Sequence, residues 1–200
     1  MTTDLLRATT ELDAVNMMLK AIRESAVASI TEPSHEDAAT AVTILRHWNK
    51  TVQEQGWRFN KRYNNLLERD GNNELVVPVN VLSITPGSKS AHANFAFVEG
   101  KLYDLDNNTF AWTEDLYVDY VLHYAFEKIP QAARNYILQM AGLEFTGDEV
   151  PSTQRPVFSK ERASMAHGML RRTESLIRKP NMITGSLHAM PILASRRPFY

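Results

Sequence analysis

The sequence predicts an α+β fold: a four-helix bundle-like helical domain, a small antiparallel β subdomain inserted into it, and an extended C-terminal arm. Three observations carry this. Apolar residues recur at helical spacing towards both ends of the chain. They alternate with a period of two across the middle third. The stretch Asn181–Tyr200 is apolar, yet Gly185, Pro191 and Pro198 interrupt it. The expected boundaries are residues 1–56 plus 126–178 for the helical domain, 57–125 for the β subdomain and 179–200 for the arm.

The first helix starts at Thr9 or Thr10, either of which can cap it, and Leu12, Val15, Leu19 and Ile22 form its apolar stripe. Pro33 breaks the connector that follows, because proline removes a helical donor. Ser34 with Asp37 three residues on reads as the next helix start, with acids where the helix dipole favours them. Ala38, Ala41, Leu45, Trp48 and Val52 make the second stripe, widened by Val42 and Ile44. Gly56 takes the left-handed position past that helix.

From Trp57 the period changes. Trp57, Phe59, Lys61 and Tyr63 share one side of a half-buried strand. Asp70-Gly71-Asn72-Asn73 is turn chemistry, and Leu75–Ile84 reads as extended, with Pro78 at an edge or bend. Ala93–Tyr103 reads as a hairpin turning at Glu99-Gly100. Asp104–Asn108 is a further turn, and Leu116–Tyr124 a last strand. Ile129-Pro130 opens a third helix with Ala133, Tyr136, Ile137, Met140 and Ala141 as its stripe. A loop with Gly147, Pro151 and Pro156 leads to a fourth, opening at Ser159 and ending near Arg178. Its inner face is Ala163, Ala166, Met169, Leu170, Thr173 and Ile177.

Two hundred residues with 44% apolar content and mean hydropathy −0.33 fit a soluble globular chain, and no run approaches the length needed to span a bilayer. The first residues have no apolar stretch of a secretion signal. The absence of cysteine excludes disulfides and thiolate chemistry. A net charge of −1 hides a basic end: residues 155–200 carry +7 and the remainder −8, so the tail is suited to meet something acidic.

No phosphate-binding, dinucleotide-binding, zinc-protease or nucleophile-elbow motif occurs, and the six histidines stand apart from one another. We therefore expect no catalytic residue, no cofactor and no metal. Glu144 with Asp148 and Glu149 could serve as paired carboxylates in a polysaccharide or peptidoglycan hydrolase, the alternative function. Trp48, Trp57 and Phe59 could stack on single strands, although a core role suits a helix-to-strand junction better. A third reading makes residues 155–200 a nucleic-acid-binding module. Asn107-Asn108-Thr109 matches a glycosylation sequon, which has little meaning without secretion.

Five segments resemble one family, the tail tubular protein A (head–tail adaptor) proteins of short-tailed bacteriophages. They are ELDAVNMMLKAIRE (11–24), DAATAVTILRHWNKTVQEQGWRFN (37–60), KLYDLDNNTF (101–110), IPQAARNYILQMAG (129–142) and KPNMITGSL…RRPFY (179–200). The junction Gly56-Trp57-Arg58-Phe59-Asn60 is the most specific piece. Arg23 departs from a glycine common in the family, so the first helix is expected to end later here, and 143–155 shows no clear match. The resemblance implies a structural virion protein. It would form a homo-oligomeric, dodecameric ring between portal protein and tail nozzle (tail tubular protein B-like), with tail fibres as a further partner. Duplex DNA would pass the lumen during ejection without specific binding, and no membrane would be involved. The protein would be assembled in the host cytoplasm and reside in the virion tail. The resemblance also gives the arm its role. Asn181, Met182, Ile183, Leu187, Met190, Ile192, Leu193, Arg196, Arg197, Phe199 and Tyr200 would grip the portal or a neighbouring copy.

Overall fold

The computed structural model describes residues 8–32, 35–147 and 157–177. Among the described residues, two helices, five strands and two more helices follow in order, a mixed α+β chain as expected: α1 (Glu11–Ala21), α2 (Glu36–Glu54), β1 (Lys61–Leu67), β2 (Val81–Pro86), β3 (Phe95–Val98), β4 (Lys101–Asp104), β5 (Leu116–Leu122), α3 (Gln131–Thr146) and α4 (Lys160–Ile177). The expected arm, 179–200, lies outside the described residues, as do Ser34, Pro151 and Pro156.

Thr10 caps α1 in a capping box with Asp13, in keeping with the sequence. The helix does not run past Arg23; it stops at Ala21, and Arg23 takes φ 67°. The Arg23 and Glu24 amides donate to the Lys20 and Leu19 carbonyls, a Schellman closure that accepts an arginine where glycine has no steric cost. The buried face is also rotated from the expected stripe. Ala14, Val15, Met18 and Leu19 are inside, while Ile22 is exposed. Helix α2 is capped by His35, whose Nδ1 accepts from the Ala38 amide, so the start lies one residue after Ser34.

Helices α2 and α3 pack against each other, α1 lies across both, and α4 packs chiefly on α3. Their shared core includes Met18, Leu45, Val52, Ile137, Phe158 and Leu170. Gly142 of α3 makes room for Phe158: a Cβ there would sit 2.4 Å from the ring. In α3, Tyr136 and Met140 flank the core, and Leu138 and Gly142 are buried in their place. The largest revision falls on α4. Met169 faces out and Glu174 faces in, against the expected inner face.

The expected strand from Trp57 begins later, because residues 57–60 form a turn closed by the Lys61 amide on the Trp57 carbonyl (2.8 Å). Trp57 and Phe59 pack on the helical core instead, and Tyr63 is 61% exposed. The expected strand 75–84 splits at Pro78. Leu75 and Val76 bridge to Arg69 and Lys101, whereas Val81–Pro86 becomes β2. Strand β5 lies between β1 and β2 in an antiparallel sheet, with Leu116, Val118 and Val121 buried. A bulge at Asn64 (φ 49°) shifts the β1 register. The β3–β4 hairpin turns at Glu99-Gly100, both at positive φ, as its sequence demands. Leu75, Val77, Leu102, Trp112, Leu116 and Val118 form a second core, in which the Trp112 indole donates to the Leu102 carbonyl (2.9 Å).

Candidate functional site

Asn49 and Gln53 extend the buried stripe of α2 at helical spacing, but with amides in place of apolar groups. Both are buried, as is Asn60 in the turn that follows. Burial of an amide is tolerated only when its hydrogen bonds are met, and here most are. Gln53 Nε2 donates to the Tyr124 carbonyl (2.8 Å) and to Asn49 Oδ1 (2.9 Å), while its Oε1 accepts the Tyr124 amide (2.9 Å). Asn49 Nδ2 donates to the same carbonyl (3.2 Å) and to His123 Nε2 (3.3 Å). Asn60 Nδ2 bridges the Gln53 and Leu122 carbonyls, each at 2.9 Å. Three side-chain amides thus fasten α2 to the end of β5, where the two cores meet. Burial holds the His123 imidazole below its ordinary pKa, with Lys50 adding to the effect, and Nε2 is the acceptor of that bond because the Asn49 Nδ2 can only donate.

The junction singled out in the sequence folds around this joint. Gly56 (φ 73°) ends α2, and the Trp57 indole donates back to the Val52 carbonyl (2.7 Å). The Arg58 amide donates to the buried Glu174 carboxylate of α4. The His167 ring stands against Trp57 and Tyr136, with centroids 6.0 and 4.9 Å away. Sequence reasoning placed Trp57 and Phe59 in the core correctly but missed the amides. The available signal was polar side chains at positions where the α2 stripe required burial.

The eleven arm residues from Asn181 to Tyr200 lie outside the described residues, as do Asp148 and Glu149 of the carboxylate alternative. Glu144, the remaining member, accepts the Trp48 indole N–H at 2.6 Å. Trp48 is half-buried against the helical core. Among the described residues, no group of His, Asp and Glu could hold a metal, and no helix is long and apolar enough to cross a membrane.

What the described surface does offer is apolar contact area. Val79 at the tip after Pro78 is fully exposed, and Val76, Phe97 and Val98 are exposed around the hairpin. On the helical side, Met165, Met169 and Leu176 stand out from α4 beside a groove of about 600 Å³. Isolated exposed apolar residues are ordinary, but clusters of this kind mark contact surfaces.

The family model described as tail tubular protein matches residues 12–180. That span includes both cores and the joint, and it ends one residue before Asn181. No curated protein matches the chain.

Proposed function

This chain belongs to the tail tubular protein family, a structural component of a phage tail, and on that premise we propose that it is the head–tail adaptor. Copies assemble into a ring, a dodecamer, between the portal and a tail tubular protein B-like nozzle, and the genome passes through it on ejection. The family match over both cores carries the reading. Two further features support it. The buried amides join the helical and β parts into one block, and exposed apolar clusters stand on each part. Ring contacts join unlike faces of one chain, so separate surfaces on separate parts are what such closure requires. The arm from Asn181 to Tyr200 grips the portal or the neighbouring copy, its cations Arg196 and Arg197 meeting acidic surface.

Native mass measurement tests this directly. The purified chain is weighed alone and again after mixing with portal particles. A shift of the chain into a portal-bound ring is the expected result. A chain that stays at its solution mass in the presence of portal would overturn the adaptor role.

A further inference from the structure

We propose that the fastening of α2 to β5 is acid-sensitive: a proton on His123 releases Asn49 and loosens the helical part from the β part. One backbone group sets the polarity of the whole amide chain. The Tyr124 N–H can only donate, so the Gln53 atom facing it is Oε1 (2.9 Å). Gln53 Nε2 then donates to the Tyr124 carbonyl (2.8 Å) and to Asn49, whose accepting atom is Oδ1 (2.9 Å). This turns Asn49 Nδ2 towards the Tyr124 carbonyl (3.2 Å) and His123 Nε2 (3.3 Å).

The chain cannot be reversed. Turning the Asn49 amide round sets its NH2 group against that of Gln53, and turning both sets Gln53 Nε2 against the Tyr124 N–H. His123 Nε2 therefore has one role, that of acceptor, and the neutral ring carries its proton on Nδ1. A second proton, on Nε2, places donor against donor in a part-buried bond, where an unmet polar group is costly.

The charged groups around the ring oppose that proton or are already paired. Lys50 of α2 opposes it. A cavity of about 250 Å³ borders the ring, and its charged lining groups are Glu11 of α1 and Arg46 of α2, joined to each other at 2.7 Å. The segment after β5 adds only Ala125 and Phe126 to that lining. The turn before β2 adds the Asn80 carbonyl, which accepts the His123 backbone amide (2.7 Å). The cavity gives a charged ring room to swing off Asn49.

The sign of the pH dependence follows. Loosening returns the ring to its ordinary pKa of about 6.5, so protons favour the loosened state. The fastening is at full strength above that value, weakens as pH falls below it, and stops weakening below the lowered value of the folded protein.

Hydrogen exchange of the Tyr124 amide reads the fastening, and its protection is followed from about pH 8 to about pH 5 in the wild type and in His123→Gln. Glutamine keeps an acceptor and takes up no proton. In the wild type, protection should fall about tenfold for each unit by which the His123 midpoint lies below its ordinary value, and it should stay level in His123→Gln. Level protection in the wild type, or an equal fall in both proteins, overturns the proposal. An NMR titration of the wild type stands apart from any variant. The Asn49 side-chain amide resonances should move with the His123 ring, at one shared midpoint below the ordinary value. Asn49 resonances indifferent to that titration, or a midpoint at or above the ordinary value, overturn it as well.

Discussion

Arg23 shows how a single position departs from its own best choice. It holds the left-handed turn that closes α1, a conformation that costs a residue with a Cβ about 1–2 kcal/mol. Its amide hydrogen bond to the Lys20 carbonyl is a backbone bond, and glycine keeps it. Arg23→Gly is therefore expected to stabilise the protein by about 1 kcal/mol, offset in part by the greater freedom of glycine in the unfolded chain. Urea unfolding of the two proteins measures this, and a loss of stability would mean that the arginine side chain does more than occupy the turn. The sequence pointed to this residue but misjudged its consequence: the missing glycine suggested a longer helix, whereas the closure keeps its geometry and tolerates the strain.

At the scale of elements, the helix pairs and the β unit rest on different chemistry. Trp48 couples α2 to α3 by half-buried ring packing and by the bond to Glu144. Trp48→Phe keeps most of the packing and should cost about 1 kcal/mol, while Trp48→Ala should cost about 3 kcal/mol. Equal losses for the two variants, read by denaturant unfolding, would show that the hydrogen bond dominates. The β unit depends instead on carboxylates in turns. Asp104 is held below the ordinary carboxylate range by the Asn107 side chain and amide, Asp70 by the Glu74 and Asn72 amides, and Asp115 by the Arg69 amide and guanidinium. A lowered folded pKa stabilises the fold above the ordinary value and loses that contribution as pH falls through the lowered one. Stepwise acidification followed by NMR should therefore leave the resonances of 70–76 and 101–112 in place through the ordinary carboxylate range and displace them only below it. Displacement already within the ordinary range would show that the turn bonds do not hold these carboxylates. These turns were plain in the sequence because Asp, Asn and Gly occur where turn geometry needs them. The face of α4 was not. Met169 and Glu174 exchanged places because its outer side borders an open groove, while the Arg58 backbone amide in the turn after α2 captures Glu174. Periodicity along one helix carries no information about either event.

For the whole molecule, order of elements was legible and their meeting point was not. Four helices, the hairpin and the central strand stand where apolar spacing placed them. The contact between the two cores depends on residues more than 60 positions apart, such as Asn60 with Leu122, and on amides that a hydropathy pattern counts as surface. The proposed assembly role likewise rests on surfaces, the exposed apolar clusters of both parts. Removing Asn181–Tyr200 is expected to leave both cores folded, with an unchanged circular-dichroism melt, and to abolish co-sedimentation with portal particles. A truncated chain that still sediments with the portal would show that the grip lies elsewhere, with the exposed valines of the β unit and the α4 groove as the remaining candidates.

The fastening of α2 to β5 by Asn49, Gln53 and Asn60 has a consequence for a particle that moves between media. Amides hold no formal charge, so dissolved ions have little at this seam to shield. A hinge built from arginine and glutamate would slacken in brine and tighten in fresh water. This one keeps the angle between its two halves across both, and the proposed ring would inherit that constancy.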